Sequence, residues 1–138
     1  MNETKINELL RLAENAMKSA YAPYSDCSVG AALLCRDGKI FTGANIENAS
    51  FSPTVCAERV AFFSAVHQGE REFSAIAVVG GKGGVISGFF PPCGVCRQVM
   101  REFCDIEDFE VIIGGKEQYK VLKLKELLPF SFGSSDMK

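Results

Sequence analysis

The residues best equipped for chemistry in this chain are Cys56, Glu58, Cys93 and Cys96, in the stretches Cys56-Ala57-Glu58 and Pro92-Cys93-Gly94-Val95-Cys96. Each stretch opens what the surrounding pattern predicts to be a helix. Cys93 and Cys96, at i and i+3, can both point at one ion, the first near the N-cap and the second a turn on. Cys56, at another helix start, supplies a third thiol, and the partial positive charge of both N-termini favours the thiolate. Zinc is held tetrahedrally, and a catalytic site uses three protein ligands so that the fourth position stays open. Glu58 is too near Cys56 to be a ligand; beside a metal it can carry protons from water to a substrate nitrogen. Three thiolates on a dication leave excess negative charge, and Arg59 is the candidate cation to offset it by hydrogen-bonding to sulfur.

Other readings of these residues explain less. A redox pair at Cys93 and Cys96 leaves Cys56 and Glu58 without a role. A structural zinc module that binds a partner needs a fourth ligand. Cys27, Cys35 and Cys104 lack chelating spacing and read as plain buried thiols. His67, the only histidine, lies deep in its helix and reads as a surface residue.

The remaining chain must bring the two helix starts together. With 138 residues it is one domain, 1–138, with 130–138 an apolar, loose C-terminal tail. A net charge of −2 gives no basic field for a nucleic-acid backbone, so a small molecule is the expected partner. No apolar run is long enough to span a membrane, and the start Met1-Asn2-Glu3-Thr4-Lys5 is unlike a signal peptide. The expected location is the cytoplasm, where thiols stay reduced and serve as ligands or core fillers.

Apolar residues at three- and four-residue spacing predict a helix from Thr4 to Ala20, ended before Pro23. Val29 to Cys35 and Ile40 to Glu47 read as strands joined at Asp37-Gly38 in a hairpin. Cys56 to Gln68 is a largely buried helix, and Ser74 to Gly80 an inner strand covered on both faces. Gly80 to Gly84 lacks the ending of a phosphate-binding loop and reads as a flexible link. A helix after Pro92 precedes strands Phe109–Ile113 and Tyr119–Leu124, which a short turn makes antiparallel neighbours, and one helical turn at Lys125–Leu128. This order predicts the α/β class: a three-layer α/β/α sandwich around a central five-stranded mixed sheet.

Cys-Ala-Glu followed by Pro-Cys-x-x-Cys is the arrangement of zinc deaminases that act on nucleobases, three cysteines being one variant. At these residues the chain resembles the small cytidine deaminases. The likeness extends through Tyr21-Ala22-Pro23-Tyr24-Ser25, Val29 to Leu34, Thr42 to Ala49, Cys56-Ala57-Glu58-Arg59, Pro92 to Val99 and Leu127-Leu128-Pro129. The resemblance implies the cytidine deaminase-like fold, one zinc per chain on Cys56, Cys93 and Cys96, and hydrolytic deamination of cytidine and 2′-deoxycytidine to the uridines with release of ammonia. It makes Glu58 the proton shuttle to N3 and then to the leaving amine, and the Ala57 N–H the contact to the base carbonyl. Asn45 and Glu47 fit the sugar-binding pair; two apart at a strand end, their side chains face the same way. Family members of this kind are typically homotetramers in which a neighbour's aromatic completes each site, and Phe132 fits that place. Three positions depart from the family's usual residues: Cys27 stands where a phenylalanine lines the sugar pocket, Val60 for threonine, and Pro91 for serine. A deaminase of a cytosine antibiotic such as blasticidin S shares the metal motifs, whereas Asn45-Ile46-Glu47-Asn48 suits a free sugar.

Overall fold

The computed structural model describes residues 1–138. The first apolar stripe folds as α1 (Glu3–Ala16), which starts where the Asn2 side chain accepts a hydrogen bond from the Lys5 N–H. The helix ends four residues before the sequence suggests, in a 3-10 turn at Met17–Ser19. The cause lies beyond it: the Tyr21 N–H donates to the Asn45 carbonyl, and the Tyr21 carbonyl accepts from Glu47, so the chain is already extended there.

Five strands follow, with helices between them: β1 (Cys27–Cys35), β2 (Ile40–Ala44), α2 (Ala57–His67), β3 (Phe73–Lys82), α3 (Gly94–Phe103), β4 (Glu110–Gly114), β5 (Tyr119–Lys123) and the single turn α4 (Leu124–Leu127). They form one mixed sheet in the order β2-β1-β3-β4-β5. Only β3 and β4 pair in parallel; β1–β2, β1–β3 and β4–β5 are antiparallel, the last two strands as expected from their short link.

Strict alternation along the inner strands makes two cores. Ala31, Leu33, Cys35, Ile76, Val78, Val111 and Ile113 face α2 and α3, where Phe62 and Met100 fill the space. Ala32, Leu34, Ala75, Ala77, Val79 and Ile112 face the other way, onto Ile6, Leu9 and Ala13 of α1. This is the three-layer α/β/α sandwich expected. No helix is long and apolar enough to cross a membrane.

Two expectations need correction. β3 runs on through Gly80 and Gly81 to Lys82, paired with Val29, Ser28 and Cys27, so the glycine run is not wholly a loop. The strand is possible there because the chain doubles back over it: a Cβ on Gly81 would collide with the Val85 carbonyl. The tail from residue 130 is tied down rather than loose. Gln98 donates to the Phe132 carbonyl at 3.1 Å, Arg101 donates to the Ser131 hydroxyl at 3.1 Å, and Ser134–Met137 form a 3-10 turn.

The seat of α2 on the sheet fixes where its first residues stand. A Cβ on Gly43 would lie 2.5 Å from the Ala57 carbonyl oxygen and 2.6 Å from the Ala61 nitrogen, both backbone atoms of that helix. Gly43→Ala must therefore lift α2 off β2, and by the usual cost of overpacking should destabilise the fold by about 2 kcal/mol. Urea denaturation of the two proteins measures it; an unchanged midpoint would mean that α2 is free to shift.

Candidate active site

α2 follows β2, and α3 follows β3, so both helices begin at the same edge of the sheet and lie on the same face. β1, running oppositely between those strands, starts at that edge: Cys27 pairs with Lys82, and Gly30 with Ala44. A crevice at such an edge, where neighbouring strands send their chains onward, is the usual place for a ligand in an α/β fold.

Cys56 is the N-cap of α2 and Cys93 the N-cap of α3; neither sulfur accepts a capping hydrogen bond from its own helix backbone. Cys96 lies one turn into α3 and is buried. The Cys56 and Cys93 Sγ atoms are 3.7 Å apart, and all three sulfurs lie within 4.8 Å of one another. Tetrahedral zinc at ordinary Zn–S lengths spaces its sulfurs about 3.8 Å apart. The donor set and its dimensions therefore fit a zinc ion. No fourth Cys, His, Asp or Glu ligand atom belongs to this cluster, as a catalytic rather than a structural site requires. Cys35 and Cys104 are buried elsewhere in the core, and His67 is exposed.

The charges around the sulfurs agree with that fit. Arg59, on the first turn of α2, places Nη2 3.4 Å from Cys56 Sγ, and its buried Nε has no partner within the chain. Cys56 is pushed down, first by the neighbouring Cys96 sulfur and then by Arg59, which favours charge on this sulfur. Cys96 is pushed up, by sharing a proton with Cys56 and by burial. A soft dication replaces such shared protons. Glu58 is only 4% exposed, and burial drives its carboxyl up to about 7, with the Cys56 charge acting in the same direction.

A cavity of about 270 Å³ opens beside these groups. Its sulfur end is lined by Cys56, Ala57, Glu58 and Cys93, its far end by Ser25, Asn45 and Glu47. Asn45 and Glu47 lie past the end of β2, not on it, because Ile46 leaves the sheet to bridge Tyr21 and Val55. They nevertheless reach the same cavity. The Asn45 amide accepts from the Val29 N–H and donates to the Cys27 carbonyl, each at 2.8 Å, which clamps it to the start of β1. Glu47 accepts from the Tyr24 and Ser25 N–H groups and from the Ser25 hydroxyl, and that hydroxyl bond first of all keeps its pKa low. Phe132 is exposed and does not line this chain's cavity.

Residues 3–113 match the family model described as the cytidine and deoxycytidylate deaminase zinc-binding region. The chain belongs to that family. It is 43% identical to the cytidine deaminase of Sporosarcina psychrophila, over 96% of this chain and 94% of that protein. With the cytidine deaminase of Halalkalibacterium halodurans it shares 46% identity, over 94% and 95%. The crystal structure of cytidine deaminase from Burkholderia pseudomallei superposes with a TM-score of 0.85 at 44% identity, covering 96% of this chain and all of that one.

Reading the sequence alone brought out the sulfurs, Glu58 and Arg59, but not Ser25, Phe90 or Arg97. Ser25 sits in a stretch that reads as a helix stop at Pro23 and as part of the family likeness, neither of which gives the serine itself a role. Arg97 donates to the carbonyls of Pro92 and Leu127, each at 2.7 Å, and so fixes the turn that presents Cys93. Its signal was a cation directly after the second cysteine of the pair. For a zinc-loaded protein, Arg59→Gln should speed metal loss to a chelator by about tenfold, the scale of ordinary outer-shell effects. Zinc release followed with a chromophoric chelator measures this, and an unaltered rate would remove Arg59 from the site.

Proposed function

We propose that this chain is a zinc-dependent cytidine deaminase, converting cytidine and 2′-deoxycytidine to uridine and 2′-deoxyuridine with release of ammonia. The observation that carries the reading is one cavity with a proton carrier and the Cys56 and Cys93 sulfurs of the three-cysteine cluster at one end, and a polar pair without any cation at the other. Glu58 with Cys56, Cys93 and Cys96 is the chemical end; Asn45 and Glu47 grip the sugar. A phosphate would meet the Glu47 carboxylate and no Lys or Arg among the lining residues, so the substrate is a nucleoside and not a nucleotide.

Cys56, Cys93 and Cys96 would hold one zinc per chain, which supplies Lewis acidity that makes water a nucleophile at neutral pH. Net reaction adds water at C4, forms a C–O bond there and breaks the C–N bond. Glu58 takes a proton from the attacking water and gives it to N3. It then takes the proton of the new C4 hydroxyl, gives it to the departing amino group, and ends as it began, with C4 a carbonyl and ammonia free. The Ala57 N–H, at the first position of α2, donates to the base carbonyl, and the helix dipole strengthens it. Arg59 holds the sulfurs' charge in place. Burial of Glu58 suits its role, since a shuttle works best with a pKa near the working pH.

The whole chain, 1–138, is read as one catalytic domain with 130–138 its tail, working in the cytoplasm as a homotetramer. Exposed Phe132 at 59% and Phe63 at 49% are apolar surface that partner copies would cover. Phe132, held out by Gln98 on its carbonyl, would complete a neighbour's site.

Glu58→Gln should keep about one zinc per chain and lose deamination by at least a thousandfold, since it removes both proton transfers. Metal analysis with an ultraviolet assay of cytidine decides it, and full activity would sink the assignment. In the same assay 2′-deoxycytidine should turn over, while deoxycytidylate and blasticidin S should be poor substrates. Sedimentation should give four chains per particle, with Phe132→Ala raising KM for cytidine; a monomer as active as the assembly would remove Phe132 from the site.

A further inference from the structure

The cavity needs a flat apolar wall for a pyrimidine, and β1 does not provide one. Cys27 and Val29, two apart on that strand, are small where they line the cavity. Phe90 is the only aromatic ring among the lining residues. Its position is built. Gly83 and Gly84 turn the chain with φ of +65° and +78°, and Gly88 bridges back to Gly80, so residues 85–90 fold over the end of β3. The two successive phenylalanines then part. Phe89 lies under Lys120, whose Nζ is 5.1 Å from the ring centroid, and against Gly115 just past β4. Phe90 lies on Gly80, where an added Cβ would stand 2.9 Å from its Cγ and Cδ2 and 3.1 Å from Val29 Cγ2. The missing side chain of Gly80 is thus the seat of the ring.

We propose that Phe90 is a substrate-binding residue, its ring packing on the pyrimidine, and that Gly80 is the positioning residue that seats it. This rests on the nucleoside deaminase reading of the same cavity. Three residues before Cys93, Phe90 makes a contact that is the same before and during the reaction. It should therefore contribute to binding and not to the chemical step.

Steady-state kinetics on cytidine test this with the zinc-loaded enzyme. Phe90→Ala should raise KM about tenfold, on the scale of base–aromatic stacking, with kcat within about twofold of wild type. Phe90→Tyr, which keeps the ring, should restore KM to within about threefold. Gly80→Ala should reproduce the KM defect, and Gly80→Ala with Phe90→Ala should be no worse than Phe90→Ala alone, because both remove one contact. If Gly80→Ala does not fold, the Phe90 pair decides. An unchanged KM in Phe90→Ala, or a fall in kcat at constant KM, overturns the assignment while leaving the deaminase reading standing. A wild-type enzyme without turnover of cytidine overturns both.

Discussion

Everything about this molecule depends on two helix beginnings being held within a few ångströms of each other. Cys56 and Cys93 belong to different helices, yet their sulfurs lie 3.7 Å apart. Neither helix touches the other extensively near these ends; each is set by the sheet beneath. α2 approaches β2 so closely that Gly43 has no room for a side chain, and α3 is anchored by Met100 in the core and by Arg97 on the Pro92 and Leu127 carbonyls. Because β2 and β3 run the same way with β1 between them, the two helices start at one edge. The three-sulfur cluster is thus a consequence of strand order, and a shift of either helix by a fraction of its pitch would part the sulfurs.

The same edge explains the rest of the cavity. β1 starts where β2 and β3 end, so Cys27 and Val29 enter the site from a third direction. Asn45 ties that start to the end of β2 through two backbone hydrogen bonds, and so it braces the sheet edge as well as lining the cavity. Breaking either bond would leave a part-buried backbone group unpaired, at a cost of about 1–3 kcal/mol. One amide thus both braces the sheet edge and lines the cavity.

What could be read from the sequence follows from which forces act locally. Helices and inner strands announced themselves through apolar periodicity, since Leu33 or Ile76 must face a core whatever the loops do. The sulfurs and Glu58 were legible because metal chemistry restricts residue type and spacing together. The end of α1, the limits of β2 and β3, and the anchored tail were not, since each is set by partners distant in the chain. Tyr21 leaves the helix for Asn45, Gly80 is a strand because residues 85–88 return over it, and Ser131 is held by Arg101. Phe90 was hidden for the same reason: an aromatic in a loop has no period, and its role depends on a glycine ten residues earlier.

Acidic groups gather around this cavity, where Cys56, Cys93, Glu58 and Glu47 line one opening, and the fold treats them in different ways. Cys56 and Cys93 each cap a helix N-terminus and Arg59 donates to Cys56, so positive charge stands against the sulfurs. Glu58 is instead buried, so that its charge is disfavoured and a proton can dwell on it. Glu47 receives two backbone N–H groups and a hydroxyl, which favour its ionised form as a hydrogen-bond acceptor at the cavity wall. Two carboxylates in one pocket therefore have opposite protonation tendencies, one poised to exchange protons and the other fixed as a charge. Their environments, not their residue type, set the two apart.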